Sequence, residues 1–164
     1  MNADRQWREW FRGERHREAY ARAHAQWNVI KARGIPESYG DVPLDAQARY
    51  RLGGKAAEML VSRVLNLPMA EDLEQDVRDG DVPPYGVRHT GRGWRLLVTP
   101  TDPPGRVIIS VRGEYPILEA KGWAWAHEAQ HPRYYMCLDG TGRKNYFLDC
   151  VHPMAELPPP DRSR

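Results

Sequence analysis

Cysteine is scarce in this chain, and so is net charge. Cys137 and Cys150 are the only cysteines. They have no C-x-x-C spacing and build no disulfide framework, so they read as reduced, mostly buried thiols. A formal net charge of +2 is too small to announce a nucleic-acid binder by bulk electrostatics. No apolar run approaches the length of a membrane span, and the opening Met1-Asn2-Ala3-Asp4-Arg5 is too polar for a secretory signal. These features point to a cytoplasmic protein with no membrane contact. No internal repeat is visible, which removes the solenoid and array architectures.

What is present is the composition of a soluble globular protein. The 164 residues are 41% hydrophobic and 28% charged, enough for one domain with its own core. Charge is unevenly placed. Residues 4–33 hold seven arginines and one lysine against four acids, interleaved with Trp7, Trp10, Phe11 and Trp27. Arginine pairs with phosphate and tryptophan stacks on bases, so the segment suits a nucleic-acid backbone. It equally suits a solvated helix whose aromatic residues pack on the domain.

The order of elements is legible. Residues 4 to about 31 contain few breakers and predict helix, in one or two pieces. "ARGIPESYGDVP" is a loop by its Gly and Pro content. A second helix is predicted from about residue 44 to 66, where Ala57, Leu60, Val61, Val64 and Leu65 recur at helical spacing. Short β-rich runs follow, "YGVRHT", "WRLLVT", "RVIISVR", "PILEAKGWAWA" and "NYFLD", separated by good turn chemistry. The expected fold is α+β, with N-terminal helices packed on a mixed, largely antiparallel sheet. Residues 1–43 form an Arg/Trp-rich helical segment, residues 44–157 the core and residues 158–164 a disordered tail.

Three groups of residues offer chemistry. "HEAQH", His127 to His131, is a literal H-E-x-x-H, the zinc-hydrolase spacing that sets two imidazoles on one helical face. Pro132 follows His131 directly and disfavours helix there, so a chance match is the better reading. "ILEAK" carries Glu119 and Lys121 two apart, which on a strand share a face and would suit a metal nuclease. That site needs an upstream acid, and only Asp102 and Glu114, both in turns, are available. The competing reading is an ion pair on a solvent-facing edge. The third group joins Glu58, at the border of the apolar stripe of the second helix, to Asp81 and the strand pair Gly86 and Arg88.

The sequence "GGKAAEMLVSRVLNLP … DGDVPPYGVRHT … WRLLVTP … RVIISVRGEYP … KGWAWAHEAQHP … YFLD" resembles small phage-encoded or bacterial proteins of the PD-(D/E)xK restriction-endonuclease-like fold. The resemblance covers roughly residues 52–157. It rests on a G-x-x-x-E helix, an acid before a short strand, a turn followed by "RLLV", an apolar strand, and a "GW" strand followed by a short helix. By that resemblance the core is restriction-endonuclease-like, Glu58 and Asp81 take the places of Mg²⁺ ligands, and Arg88 stands where the family has lysine. Gly86 occupies the position of the family's central Glu or Gln. Glycine offers no ligand and arginine cannot act as a base, so the resemblance implies an eroded site with weak or no cleavage.

Three functions follow. One is a DNA-binding, nuclease-like protein of phage origin that uses Mg²⁺. The alternative, from a different class, is a non-enzymatic module that binds another protein through the sheet and the Arg/Trp-rich helix. A zinc hydrolase working through "HEAQH" is the third.

Overall fold

A computed structural model describes residues 6–34, 44–91, 95–137, 144–149 and 151–160. The element order is β1 (Arg8–Trp10), α1 (Gly13–Ala32), α2 (Leu44–Leu65), α3 (Leu73–Asp79), β2 (Gly86–Thr90), β3 (Leu96–Val98), β4 (Val107–Arg112), β5 (Ile117–Trp125), α4 (Ala126–Ala129), β6 (Tyr135–Cys137) and β7 (Lys144–Leu148). The fold is α+β, as the pattern of periodicities predicts. Four strands make a mixed sheet in the order β1-β5-β4-β2, and three make a smaller one in the order β3-β7-β6. Among the described residues only β2 and β4 pair in parallel; the other pairings are antiparallel.

β4 lies between two cores, and its sequence reflects that. Val107, Ile109 and Val111 face α1 and α2 in one cluster, together with Phe11, Ala19, Ala56, Ala57, Leu60 and Val61. Ile108 faces the other way, into a cluster with Leu96, Val98, Ala124 and Leu148 of the smaller sheet. A strand covered on both faces loses alternation and becomes a continuous apolar run, here "VIISV". The helical face predicted from Ala57, Leu60 and Val61 is fully buried, while Val64 and Leu65 pack at its edge.

α1 and α2 run antiparallel. Arg15, near the start of α1, donates to the Met59 carbonyl late in α2. Alanines at the contact, Ala19, Ala23 and Ala56, let the two helices approach closely.

The N-terminal segment departs from expectation. Residues 8–10 form a strand, not helix, and Trp10 pairs with Ile117 while Arg8 pairs with Glu119. The helix starts only at Gly13. The strand forms because β5 presents an open edge there, and Phe11 beyond it drops into the core, 2% exposed. Tertiary pairing outweighs the local composition. α3 and β6 were likewise not foreseen. α3 begins at Asp72, whose side chain accepts from the Gln75 N–H at 2.7 Å, and ends at Gly80 with φ 103°.

β5 carries a bulge at Lys121. Ser110 pairs with Gly122 and Val111 with Ala120, leaving Lys121 unopposed. The extra residue shifts the parity, so Ala120 and Trp123 both face the helices although they are three apart. Beyond the bulge, the C-terminal segment lies across β5. The Trp123 N–H donates to the His152 carbonyl at 3.0 Å and the His152 N–H donates back at 2.7 Å. A side chain at Gly122 would meet the His152 oxygen at 2.5 Å, so this approach requires glycine.

The C-terminal residues expected to be disordered are described as far as Pro160. Leu157 packs on the core, and the Tyr85 hydroxyl donates to the Pro158 carbonyl at 2.6 Å. Residues 161–164, most of the predicted loop, the Cys150 residue and the side chain of Cys137 lie outside the described residues. Among the described residues no helix is long and apolar enough to cross a membrane.

Candidate active site at the edge of strand β2

α2 packs on β2, the edge strand of the larger sheet, and this contact decides where Glu58 goes. The residue sits on the buried side of α2, 9% exposed, and its carboxylate accepts from Lys55 Nζ at 2.6 Å. Burial pushes its carboxyl up to about 7 against the pull of Lys55, and the negative charge of Asp81 adds to the rise. The charge of Asp81 therefore reaches Glu58.

A third acid joins them. Asp76 of α3 shares a hydrogen bond with Asp81, and burial, that bond and the charges of Asp81 and Glu58 together push its carboxyl up to about 8. Lys55 and Asp76 line an open cleft of about 290 Å³. Sequence reasoning missed both residues. Lys55 carries a signal, its i,i+3 spacing to Glu58. Asp76 carries none, because its place depends on how α3 is packed.

Asp81 lies just before β2. Its Oδ2 accepts from the Val87 N–H at 2.5 Å and from Arg88 at 3.4 Å. The other arm of Arg88 reaches Asp102 at 2.7 Å, so the guanidinium bridges two carboxylates. Asp102 is 6% exposed and also accepts from the Thr99 N–H and hydroxyl, at 2.8 and 3.0 Å. Arg88 therefore clamps the β3–β4 turn to the start of β2. That geometry occupies both of its arms and leaves it as a structural cation beside the site.

Gly86 is buried opposite Ile108. A Cβ there would lie 3.8 Å from Asp81 Oδ2 but 2.7 Å from Ile108 Cδ1. The position lies on the Ile108 face of the sheet, opposite the face that Val87 turns to α2. Of the two acids only Asp81 comes near it, and the isoleucine methyl fills the space.

The donors suit Mg²⁺, which takes hard oxygen ligands and keeps several waters. As placed, their oxygens are turned to Lys55, to the Val87 N–H and to Arg88, and among the described residues no three His, Cys, Asp or Glu side chains converge at ligating distance.

The louder motifs go elsewhere. α4 ends at Ala129, before His131, as Pro132 requires. His127 Nδ1 lies 2.9 Å from the Pro104 carbonyl, while Glu128 caps the Trp125 N–H and meets His152 at 2.9 Å. Lys121 and Glu119 of "ILEAK" pair with each other at 2.7 Å, both partly exposed at the bulge. In the N-terminal segment Arg15 is taken up by Glu9 at 2.8 Å and Glu18 at 3.2 Å, which makes it a packing residue. Trp7 and Phe11 pack on the core, whereas Trp10 stays 58% exposed.

The raised carboxyls predict a pH dependence. In the folded chain Glu58 and Asp76 hold protons that unfolded carboxyls have already released, so their contribution is present at low pH and is lost as pH rises through about 7 to 8. For Glu58, a rise from 4.5 to about 7 corresponds to about 2 kcal/mol lost between about pH 5 and 7. Urea denaturation across that range is expected to show the decline, and Glu58→Gln to flatten it. A parent protein whose midpoint rises over the same range would contradict this assignment.

Comparison with protein-family models, with curated proteins and with solved structures finds no match in any of the three.

Proposed function

We propose that the chain is a nuclease-like DNA-binding protein that holds Mg²⁺ between Glu58 and Asp81. The observation that carries this reading is the gathering of Glu58, Asp76, Asp81 and Lys55 at one edge of β2. Burial raises the Glu58 and Asp76 carboxyls and the charge of Asp81 adds to the rise, and a divalent cation relieves such a group. When bound, Mg²⁺ supplies charge for a phosphodiester oxygen and acidity for a bound water. Glu58 and Asp81 hold the cation, and Asp76 fixes Asp81 through their shared hydrogen bond. Lys55 brings a compact ammonium, which β2 lacks, to the negative charge that develops at phosphorus. Arg88, held in its clamp, positions Asp81. The missing ligand at Gly86 makes cleavage by the parent protein weak.

Calorimetric titration with Mg²⁺ at about pH 8 is expected to show binding that Asp81→Ala weakens at least tenfold, a loss of about 1.4 kcal/mol. Folded protein that shows no heat with Mg²⁺ or Mn²⁺ would sink the metal reading.

One observation favours the alternative, a non-enzymatic protein-interaction module. Trp10 and Ile117 face each other across β1 and β5, 58% and 41% exposed, at the edge of the larger sheet. Salt separates the readings: phosphate contacts weaken steeply with added salt, and an apolar protein contact does not.

A further inference from the structure

One sizeable cavity lies away from the acidic cluster. It lies between α1 and the first turns of α2, encloses about 640 Å³, and is lined by Tyr20, His24 and Trp27 from one helix and by Arg49, Arg51 and Leu52 from the other, with Lys31 at its rim. We infer that this cavity is a stacking pocket for an unpaired nucleobase, which makes single-stranded nucleic acid the ligand. The inference rests on the reading that the chain binds nucleic acid and narrows it to unpaired strands.

Three observations support it. First, the rings stand ready. Tyr20 is 60% exposed on a helix of a folded domain, and its ring lies within 12° of parallel to that of His24, at 6.3 Å between centroids. Flat, solvent-facing aromatic groups in a concave site match a base, because every base has a π-face. Second, the charge fits a phosphate backbone. Arg49, Arg51 and Lys31 are cationic, and among the described lining residues none is acidic. Arg51 lies over Trp27 at 4.2 Å and Lys31 at 5.4 Å, so the cations and the aromatic surface already form one unit. An apolar helix of a partner protein would not call for three cations around an aromatic slot. Third, the pocket is in line with the acids. Arg51, Lys55 and Glu58 follow one another at four- and three-residue steps on α2, so they share a face. Arg51 and Glu58 are separated by about 10 Å of helix rise. A strand with one base in the pocket would carry a neighbouring phosphate toward Lys55 and the cluster.

The test measures binding without metal, so it is independent of cleavage. In EDTA, a fluorescently labelled short oligothymidylate, its RNA counterpart and a duplex of the same length are titrated with the whole chain and followed by anisotropy. The single strands are expected to bind at least tenfold more tightly than the duplex. Tyr20→Ala should weaken single-strand binding about tenfold and leave duplex binding unchanged, and Trp27→Leu should act in the same direction. Tyr20 is exposed, so Tyr20→Ala keeps the test valid if Trp27→Leu does not fold, as judged by circular dichroism. Preference for DNA or for RNA would each support the pocket and would identify the strand. Equal binding of single strand and duplex, or a folded Tyr20→Ala protein with parental single-strand affinity, would overturn the pocket while leaving the nucleic-acid reading intact. Binding of neither would overturn both.

Discussion

Arg88→Ala is expected to cost about 3 kcal/mol of folding stability, the size typical of breaking a buried ion pair from one side. Arg88 is held at 2.7 Å from Asp102 and 3.4 Å from Asp81, and Asp102 is buried. Removing the guanidinium leaves a negative charge in the β3–β4 turn with only the Thr99 N–H and hydroxyl to receive it. Arg88→Lys should fall between, because an ammonium is one point of charge and cannot span both carboxylates as a planar fork does. The informative control is Arg88→Ala with Asp102→Asn, which removes the stranded charge and should recover at least half of the loss. Urea midpoints measured on the four proteins at one pH check this. A midpoint for Arg88→Ala equal to the parent's would show that the clamp contributes nothing, and Arg88 would again be a candidate for the chemistry.

The second large effect concerns the glycine beside Asp81. Gly86→Glu places a carboxylate on a backbone position whose Cβ would sit 3.8 Å from Asp81 Oδ2. On its own the substitution collides with Ile108 Cδ1, 2.7 Å from that Cβ. Ile108→Val removes that methyl, at about 1 kcal/mol of stability. The pair Gly86→Glu with Ile108→Val is therefore expected to raise Mg²⁺-dependent nicking of supercoiled plasmid at least about tenfold, equivalent to about 1.4 kcal/mol off the barrier. Arg88 is kept, because the clamp that holds Asp81 is needed. Adding Asp81→Ala should return the double variant to background. A folded double variant with no more cleavage than the parent would count against the site. Nicking that survives Asp81→Ala would place the chemistry elsewhere.

The sequence made some of this readable and hid the rest for physical reasons. The strands after Pro68 show up because glycine, proline and aspartate mark their turns and because β4 is apolar throughout. "HEAQH" could be set aside from sequence because proline restricts the residue before it. The shared direction of Gly86 and Arg88 follows from the two-residue period of a strand. By contrast, β1 is three residues long, and its identity as a strand depends on β5, far along the chain. No local pattern contains that information. The role of Arg88 was hidden in the same way. Asp102, its stronger partner, lies across a turn, and the sequence shows only an arginine two positions after a glycine. Asp76 and Lys55 enter the site through the packing of α3 and α2, which composition does not encode.

The two halves of β5 are completed by opposite ends of the chain. Its first half takes β1, with Ile117 and Glu119 paired to residues 10 and 8, and its second half takes residue 152 through Trp123. The β1 pairings close a loop of about two thirds of the chain, a contact of the kind that forms late. The pairing of Trp123 with residue 152 closes a short one. During synthesis, α1 and α2 can pair as soon as they emerge, and the four strands of the larger sheet are complete at Trp125. The second half of β5, however, keeps one edge open until residue 152 is made. The newborn chain thus passes through a stage in which β5 exposes half of one edge and Trp123 lacks its contacts with His152 and Pro153. A ribosome that stalls between residues 125 and 152 would hold the protein in that sticky, half-sealed form.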